Sequence, residues 1–129
     1  MTFAKENGRP GRQGPIYLVL EKDLLVSSDL AGALMACPGA QVICANHPGD
    51  IEQALRDVER LEAAFLELPV SQFLKMSLDK LMKRLGAHVI FTVGEDDEAM
   101  ARQRGWGMLV RPFSDEMVYA ALATFKTRR

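Results

Sequence analysis

The feature that most constrains the fold of this chain is a regular alternation of short apolar runs with longer segments of helical periodicity. The apolar runs fall at residues 16–20, 40–45, 63–66, 88–93 and 106–110. Each run is bounded by polar, Gly or Pro residues, a pattern typical of buried strands. Apolar residues recur at helical spacing at 24–36, 50–59 and 71–85. The segments 95–104 and 114–126 begin with acidic and end with basic residues, which suits the helix dipole.

Five strand–helix units in this order predict an α/β domain with a parallel sheet and helices on both of its faces. Connections between parallel strands are right-handed, and a compact five-stranded sheet of this kind has the strand order 2-1-3-4-5. We therefore expect a single doubly wound, three-layer sandwich of the flavodoxin-like type. Ligand sites in such sheets lie outside the carboxyl ends of the strands, at the switch point between the first and third strands.

The length of the chain indicates how many domains it forms, and its net charge limits the classes of partner that it could bind. The chain has 129 residues, which suits one domain. Residues 1–15 are rich in Gly and Pro, so we expect a flexible leader there and a domain at 16–129. A net charge of −1 argues against nucleic acid as a partner. No secretory signal and no apolar run of membrane-spanning length is visible, which favours the cytoplasm and no membrane partner.

Several kinds of chemistry lack their sequence motifs. Cys37 and Cys44 are seven residues apart, which is not a zinc spacing, and we expect both thiols to be reduced. No serine lies in a nucleophile elbow and no glycine-rich loop follows the first strand, which disfavours hydrolases and dinucleotide binding. The acidic run at 94–98 lacks the spacing of a calcium loop. We therefore expect no enzymatic activity and no cofactor.

Three segments carry a further signal by their order and spacing. They are YLVLEKDLLVSSDLAGAL at the first strand, its loop and its helix, HVIFTVGEDDE at the fourth strand and its loop, and MLVRPFSDEMVYAAL at the last strand, turn and helix. Together they resemble the receiver domain of bacterial response regulators, over about residues 16–126. The resemblance implies a part in two-component signal transduction and phosphorelay.

The resemblance also implies a particular site chemistry. An active receiver takes a phosphoryl group from a histidine kinase onto an aspartate after the third strand. Two acidic residues after the first strand help to hold Mg²⁺, while a Thr or Ser after the fourth strand and a Lys after the fifth bind the phosphoryl oxygens. These roles need oxygen ligands for a hard cation and fixed positive charge beside the transferred group.

Most positions of that site carry a residue that the family does not use. They are Glu67 for the phosphoacceptor aspartate, Lys22 for the second acidic residue, Val93 for the Thr or Ser, Arg111 for the Lys, and Met108 at the usual aromatic switch position. Thr92 is next to Val93, but strand alternation predicts that it points the other way. The positions that fit the family are Glu21, Pro112 and Phe113.

We expect these replacements to exclude metal from the site. Two opposite unit charges ~4 Å apart attract by roughly 4 kcal/mol at an effective dielectric near 20, so Lys22 and Arg111 could neutralise Glu67 without a cation. The sequence predicts that Mg²⁺ binding and stable phosphorylation are lost. Two readings stay open: a site locked by its own ion pair, or a site that has simply decayed. A loop shifted by one residue would instead restore an acidic pair through Asp23.

The fourth helix (95–104), the fifth strand and the last helix form a common dimer or partner surface in the resembled family. On this chain the surface would comprise Met100, Arg102, Trp106, Met117 and Tyr119, either in a homodimer or against another protein. We expect a stand-alone degenerate receiver that binds a histidine kinase, a phosphotransferase or another regulator without being phosphorylated. The alternatives are an active receiver that uses Glu67 or Asp23, and a flavodoxin-like small-ligand protein.

Overall fold

All five apolar runs contribute strands to one parallel sheet. The computed structural model describes residues 14–93 and 95–127, so the predicted leader lies outside it except for its last two residues. The strand order is β2-β1-β3-β4-β5, which confirms the predicted topology. The strands are β1 (Ile16–Leu20), β2 (Gln41–Ala45), β3 (Ala63–Leu66), β4 (His88–Phe91) and β5 (Gly107–Met108).

Helices cover both faces of this sheet. They are α1 (Leu24–Met35), α2 (Ile51–Ala54), α3 (Val70–Lys75), α4 (Leu78–Leu85), α5 (Glu98–Gln103) and α6 (Asp115–Thr127). Short 3₁₀ turns precede α2 and α5, at Pro48–Asp50 and Glu95–Asp97. No helix in the described ranges is both long and apolar enough to cross a bilayer.

Two of the predicted helices differ from the observed ones. The helix expected over 50–59 is the single turn of α2, because the chain turns after it and brings Leu55 and Leu61 into the core before β3 begins. The helix expected over 71–85 is divided at Ser77, whose φ of 59° is left-handed and interrupts the helical path. A non-glycine residue in this region carries backbone strain.

Alternation along the strands divides the core into two layers. Leu18, Leu20 and Leu66 pack in the layer covered by α2 to α5, whereas Val19 and Phe65 pack in the layer covered by α1 and α6. Side chains that follow the strands continue this alternation. Glu21, the residue after Leu20, therefore projects on the α1/α6 side of the sheet.

Candidate functional site

Three loops at the carboxyl edge of the sheet bring together two carboxylates and one guanidinium. The Arg111 guanidinium forms an ion pair with Glu21 through Nη2 and Oε1, and the same Nη2 lies 3.7 Å from Oε2 of Glu67. The side chains of Glu21, Glu67 and Arg111 are 1%, 17% and 31% exposed. We call these three residues the ion-pair cluster. It joins the loops after β1, β3 and β5.

Backbone groups hold the ion-pair cluster in place. The Lys22 N–H donates to Oε1 of Glu67 at 2.9 Å, and the Asp23 N–H donates to Oε2 of Glu21 at 3.1 Å. Arg111 Nε donates to the Thr92 carbonyl at 3.3 Å. Each carboxylate therefore has one oxygen near Arg111 and the other on a backbone N–H, so both are fixed in orientation.

Burial is the main influence on the protonation of Glu21. Removal from water raises the pKa of the Glu21 carboxyl, because desolvation penalises the charged form. The Asp23 N–H and the Arg111 guanidinium act in the opposite direction, and the neighbouring Glu67 raises the pKa further. The carboxylate of Glu21 thus depends on the Asp23 N–H and on Arg111 for its compensation.

Lys22 and Asp23 take other roles than those considered from the sequence. Lys22 does meet Glu67, but through its backbone, while its exposed ammonium forms no ion pair within the described residues. Asp23 is the N-cap of α1, where its Oδ1 accepts hydrogen bonds from the N–H groups of Leu25 and Val26. A carboxylate that caps a helix already has two donors.

The strand register corrects the expectation for the position after β4. Leu66 pairs with Phe91, and the Thr92 N–H donates to the Leu66 carbonyl at 2.9 Å, so Thr92 is the next residue beside Glu67. Phe91 belongs to the α2–α5 layer, and alternation places Thr92 on the other side, that of Glu67. The expectation that Thr92 faces away and that Val93 takes its place does not match this register, which sets Thr92 and not Val93 beside Glu67.

The hydroxyl of Thr92 is the one buried side-chain polar atom in the described part of the chain that lacks a hydrogen-bond partner. Its residue is 3% exposed. Pro112, the other expected member of this edge, is exposed and follows Arg111 through a cis peptide bond.

The predicted partner surface is only partly assembled. A cleft of about 310 Å³ lies between α5, β5 and α6, and it is lined by Arg102, Trp106, Gly107, Met108, Ala121, Thr124 and Phe125. Met100 of α5 and Met117 of α6 are not part of the lining, and their exposed fractions are 40% and 38%. Tyr119 does not join the cleft, because its hydroxyl donates to the Ala33 carbonyl of α1 at 2.9 Å.

Trp106 and Phe125 form the aromatic floor of the cleft. Trp106 packs edge-on against Phe73, with ring centroids 5.0 Å apart, and Arg104 lies over its ring at 5.5 Å. Met108, at the switch position, is half-buried and packs against the α2–α5 layer. The sequence analysis included the last helix in this surface, but through Met117 and Tyr119. It missed Ala121 and Phe125, although their spacing places them on one helical stripe.

The donor set at the carboxyl edge is a poor match for a divalent cation. Both oxygens of Glu21 and Oε1 of Glu67 are paired with Arg111 or a backbone N–H, Oε2 of Glu67 lies 3.7 Å from the guanidinium, and Oδ1 of Asp23 caps α1. Within the described residues no three His, Cys, Asp or Glu side chains lie where they could hold a metal together. Mg²⁺ prefers six oxygen donors in octahedral geometry.

Comparison with solved structures identifies the fold. A response regulator receiver protein from Burkholderia phymatum is 19% identical with a TM-score of 0.64, over 85% of this chain and 96% of that chain. An orphan response regulator of H. pylori is 15% identical with a TM-score of 0.65, over 91% and 98%. A response regulator from Thermotoga maritima is 19% identical with a TM-score of 0.60, over 88% and 95%. No protein-family model and no curated protein matches the sequence. The chain has the fold of response-regulator receiver domains.

Proposed function

We propose that this protein is a degenerate receiver of a bacterial two-component system, one that acts by binding another protein and not by accepting a phosphoryl group. The observation that carries the proposal is the position of Arg111 between the carboxylates of Glu21 and Glu67. We propose that this guanidinium, at the position of the family's Lys, supplies the charge compensation that a divalent metal gives in the resembled family. The proposed role is signalling without enzymatic activity, in the cytoplasm.

The chemistry of the ion-pair cluster supports the loss of phosphorylation. Phosphoryl transfer needs a free carboxylate oxygen and a cation that neutralises the developing charge. Both oxygens of Glu67 are engaged, one by the Lys22 N–H and one by the nearby guanidinium. The extra methylene of Glu67, relative to aspartate, moves its carboxylate outward to Arg111. We propose that neither Mg²⁺ nor a phosphoryl group is held at this edge.

The proposed output surface is the cleft between α5, β5 and α6. Its aromatic floor around Trp106 and its polar rim at Arg102 are the kind of surface that protein interfaces use. The proposed partner is a histidine kinase, a phosphotransferase or another regulator, with neither nucleic acid nor a membrane involved. A homodimer through the predicted surface would have to form without Tyr119, which faces α1.

Amide NMR with beryllofluoride or acetyl phosphate, each with Mg²⁺, tests the proposal. We expect no saturable shift of the amides of residues 21–23, 67 and 111 in the wild type. A triple variant, Lys22→Asp with Glu67→Asp and Arg111→Lys, restores the family's residue types and should gain a Mg²⁺-dependent response. Saturable, Mg²⁺-dependent shifts in the wild type would overturn the proposal.

A matched triple variant controls for the charge changes. Lys80→Asp, Glu52→Asp and Arg56→Lys make the same three replacements at exposed positions away from the cluster. This variant should respond no more than the wild type, so a response of the restored variant can be assigned to the site.

One observation favours a second candidate, an active receiver with an unusual acceptor. The Thr92 hydroxyl lies on the side of Glu67 and has no partner among the described residues, which suits an oxygen of a bound phosphoryl group. In that case the wild type would respond to beryllofluoride and Thr92→Val would abolish the response. Under the preferred proposal Thr92→Val changes nothing in this experiment.

A further inference from the structure

The outer edge of the sheet is formed by β2, whose outward groups can be identified from the hydrogen bonds on its other side. The Gln41 N–H donates to the Pro15 carbonyl at 2.9 Å, and the Ala45 carbonyl accepts from the Glu21 N–H at 3.1 Å. In a parallel pair the residues that bond to the neighbouring strand alternate. Gln41, Ile43 and Ala45 therefore bond to β1, and the N–H and C=O groups of Val42 and Cys44 point outward.

Apart from the short length of β2, the described residues give this edge none of the features that usually keep strand edges apart. Natural edges are protected by charged side chains, Pro, bulges or a covering segment. Residues 40–49 contain no Lys, Arg, Asp or Glu. No described residue bonds to the outward groups of Val42 and Cys44. The side chains of Gln41 and Cys44 are exposed, and α2, the helix that follows β2, is a single turn.

From this geometry we propose that β2 pairs with β2 of a second copy of this chain, antiparallel, about a two-fold axis at Ile43. Val42 of each copy then lies opposite Cys44 of the other. Residues whose groups face each other in an antiparallel pair exchange two hydrogen bonds. The two Val42–Cys44 pairs therefore form four hydrogen bonds, which satisfy all four outward groups of each copy.

Electrostatics and register both favour a second copy over an unrelated strand. A two-fold contact brings each residue near its own copy, so a charged residue would face a like charge, and this edge has none. A shift of the axis to Cys44 would place Val42 opposite Asn46, beyond the end of β2. With the axis at Ile43, both members of each hydrogen-bonded pair, Val42 and Cys44, lie within β2.

The proposed dimer is independent of the proposed function. It uses the β2 end of the sheet, whereas the cleft lies at the β5 end and the ion-pair cluster lies between them. The resulting contact joins two sheets into one of ten strands. Because β2 is short and the buried area is correspondingly small, we expect weak association, with a Kd of about 0.1–1 mM.

Sedimentation velocity of the full chain over about 10 µM to about 2 mM tests the proposal. The wild type should shift from monomer to dimer, and Cys44→Pro should stay monomeric, because proline removes an outward donor without removing a bond to β1. Cys44→Ser keeps that donor and should dimerise as the wild type does. Ala121→Glu, in the cleft, should also dimerise. A wild type that stays monomeric, or a dimer lost in Ala121→Glu but kept in Cys44→Pro, would overturn the proposal.

Cross-linking tests the register independently of the stability of the proline variant. On the two-fold axis, Ile43 of one copy lies opposite Ile43 of the other. Hydrogen bonds do not join this pair, and the Cα atoms of such a pair are about 4.5 Å apart, within reach of a disulfide. I43C in a background of Cys37→Ser and Cys44→Ser should therefore oxidise to a covalent dimer. Cys44 is diagonal to its copy at about 7–8 Å, so the wild type should cross-link far less. Equal cross-linking of the two proteins would contradict the register.

Amide hydrogen exchange distinguishes a second copy from another cover. The amides of Val42 and Cys44 should exchange fast in dilute protein and more slowly as dimer forms. If they are already protected in the dilute monomer, another part of the chain covers the edge and the proposal fails.

Discussion

The guanidinium of Arg111 pairs with the carboxylate of Glu21 across 90 positions of sequence, although one side chain is 31% exposed and the other 1% exposed. The pair fastens the loop after β5 to the first loop of the sheet. A buried charge that loses its charged partner is strongly destabilising, because its desolvation is then poorly compensated. At Glu21 only part of that compensation, from the Asp23 N–H, would remain among the contacts of the described residues.

Arg111→Gln should therefore lower the free energy of unfolding by about 2–3 kcal/mol, somewhat less than for a fully buried pair because Arg111 is partly solvated. Urea denaturation at neutral pH measures this loss. Arg102→Gln is the matched control, since Arg102 pairs with Glu98 on the exposed surface of α5. It should cost about 0.5 kcal/mol or less. Equal losses in the two variants would show that the burial of Glu21 does not matter.

The raised pKa of Glu21 predicts a specific dependence of stability on pH. A carboxyl whose pKa is higher in the folded than in the unfolded state binds more protons when folded, so stability falls as pH rises through the interval between the two values. That interval begins near the ordinary glutamate value of about 4.3. Measured from pH 4 to 7, the wild type should lose stability relative to Glu21→Gln as pH rises. Parallel curves for the two proteins would contradict the prediction.

Ser77 and Ser71 should respond to glycine with opposite signs. Ser77 has a φ of 59°, which glycine adopts without the steric cost of a side chain, so Ser77→Gly should raise the free energy of unfolding by about 0.5 kcal/mol. Ser71 lies in α3, where glycine costs about 0.5–1 kcal/mol. Thermal denaturation of both variants gives the comparison. Destabilisation of similar size at both positions would mean that the left-handed serine is not strained.

Tyr119 and Tyr17 differ in the acceptor that their hydroxyl groups use, so their phenylalanine variants can be compared. The Tyr119 hydroxyl donates to a carbonyl at 2.9 Å, whereas that of Tyr17 donates, among the described residues, to the Cys37 sulfur at 3.9 Å. Tyr119→Phe should cost about 1 kcal/mol, and Tyr17→Phe less, because sulfur is a weak acceptor. Chemical denaturation measures both. A larger loss at Tyr17 would reverse the order of the two hydrogen bonds.

The sheet could be predicted from the sequence because its central strands are buried on both faces. Ile16–Leu20 and Ala63–Leu66 are continuous apolar runs, and their ends match the observed strands. The division at Ser77 could not be predicted, since the helical pattern continues through it. The length of α2 was missed for a similar reason: tertiary packing of Leu55 and Leu61, not local periodicity, ends that helix.

The sequence predicts which residues meet at the candidate site, but it does not predict all of their contacts. The loop after each strand is set by topology, so Glu21, Glu67 and Arg111 could be expected to meet. The side taken by Thr92 depends on the register between β3 and β4, and a shift of one residue reverses it. The role of Asp23 depends on where α1 begins, and the Lys22 contact depends on a backbone amide, which the residue type does not reveal.

The N-cap at Asp23 makes the start of α1 compete with any ligand for the same oxygen. A cation that recruited Oδ1 of Asp23 would have to release the N–H groups of Leu25 and Val26. Loss of such a cap costs about 1 kcal/mol, which corresponds to roughly fivefold in affinity. Fraying of the first turn of α1 and ligand affinity are thereby coupled. A substitution that stabilises this turn would weaken ligand binding at the carboxyl edge of the sheet, even if the substituted residue does not contact the ligand.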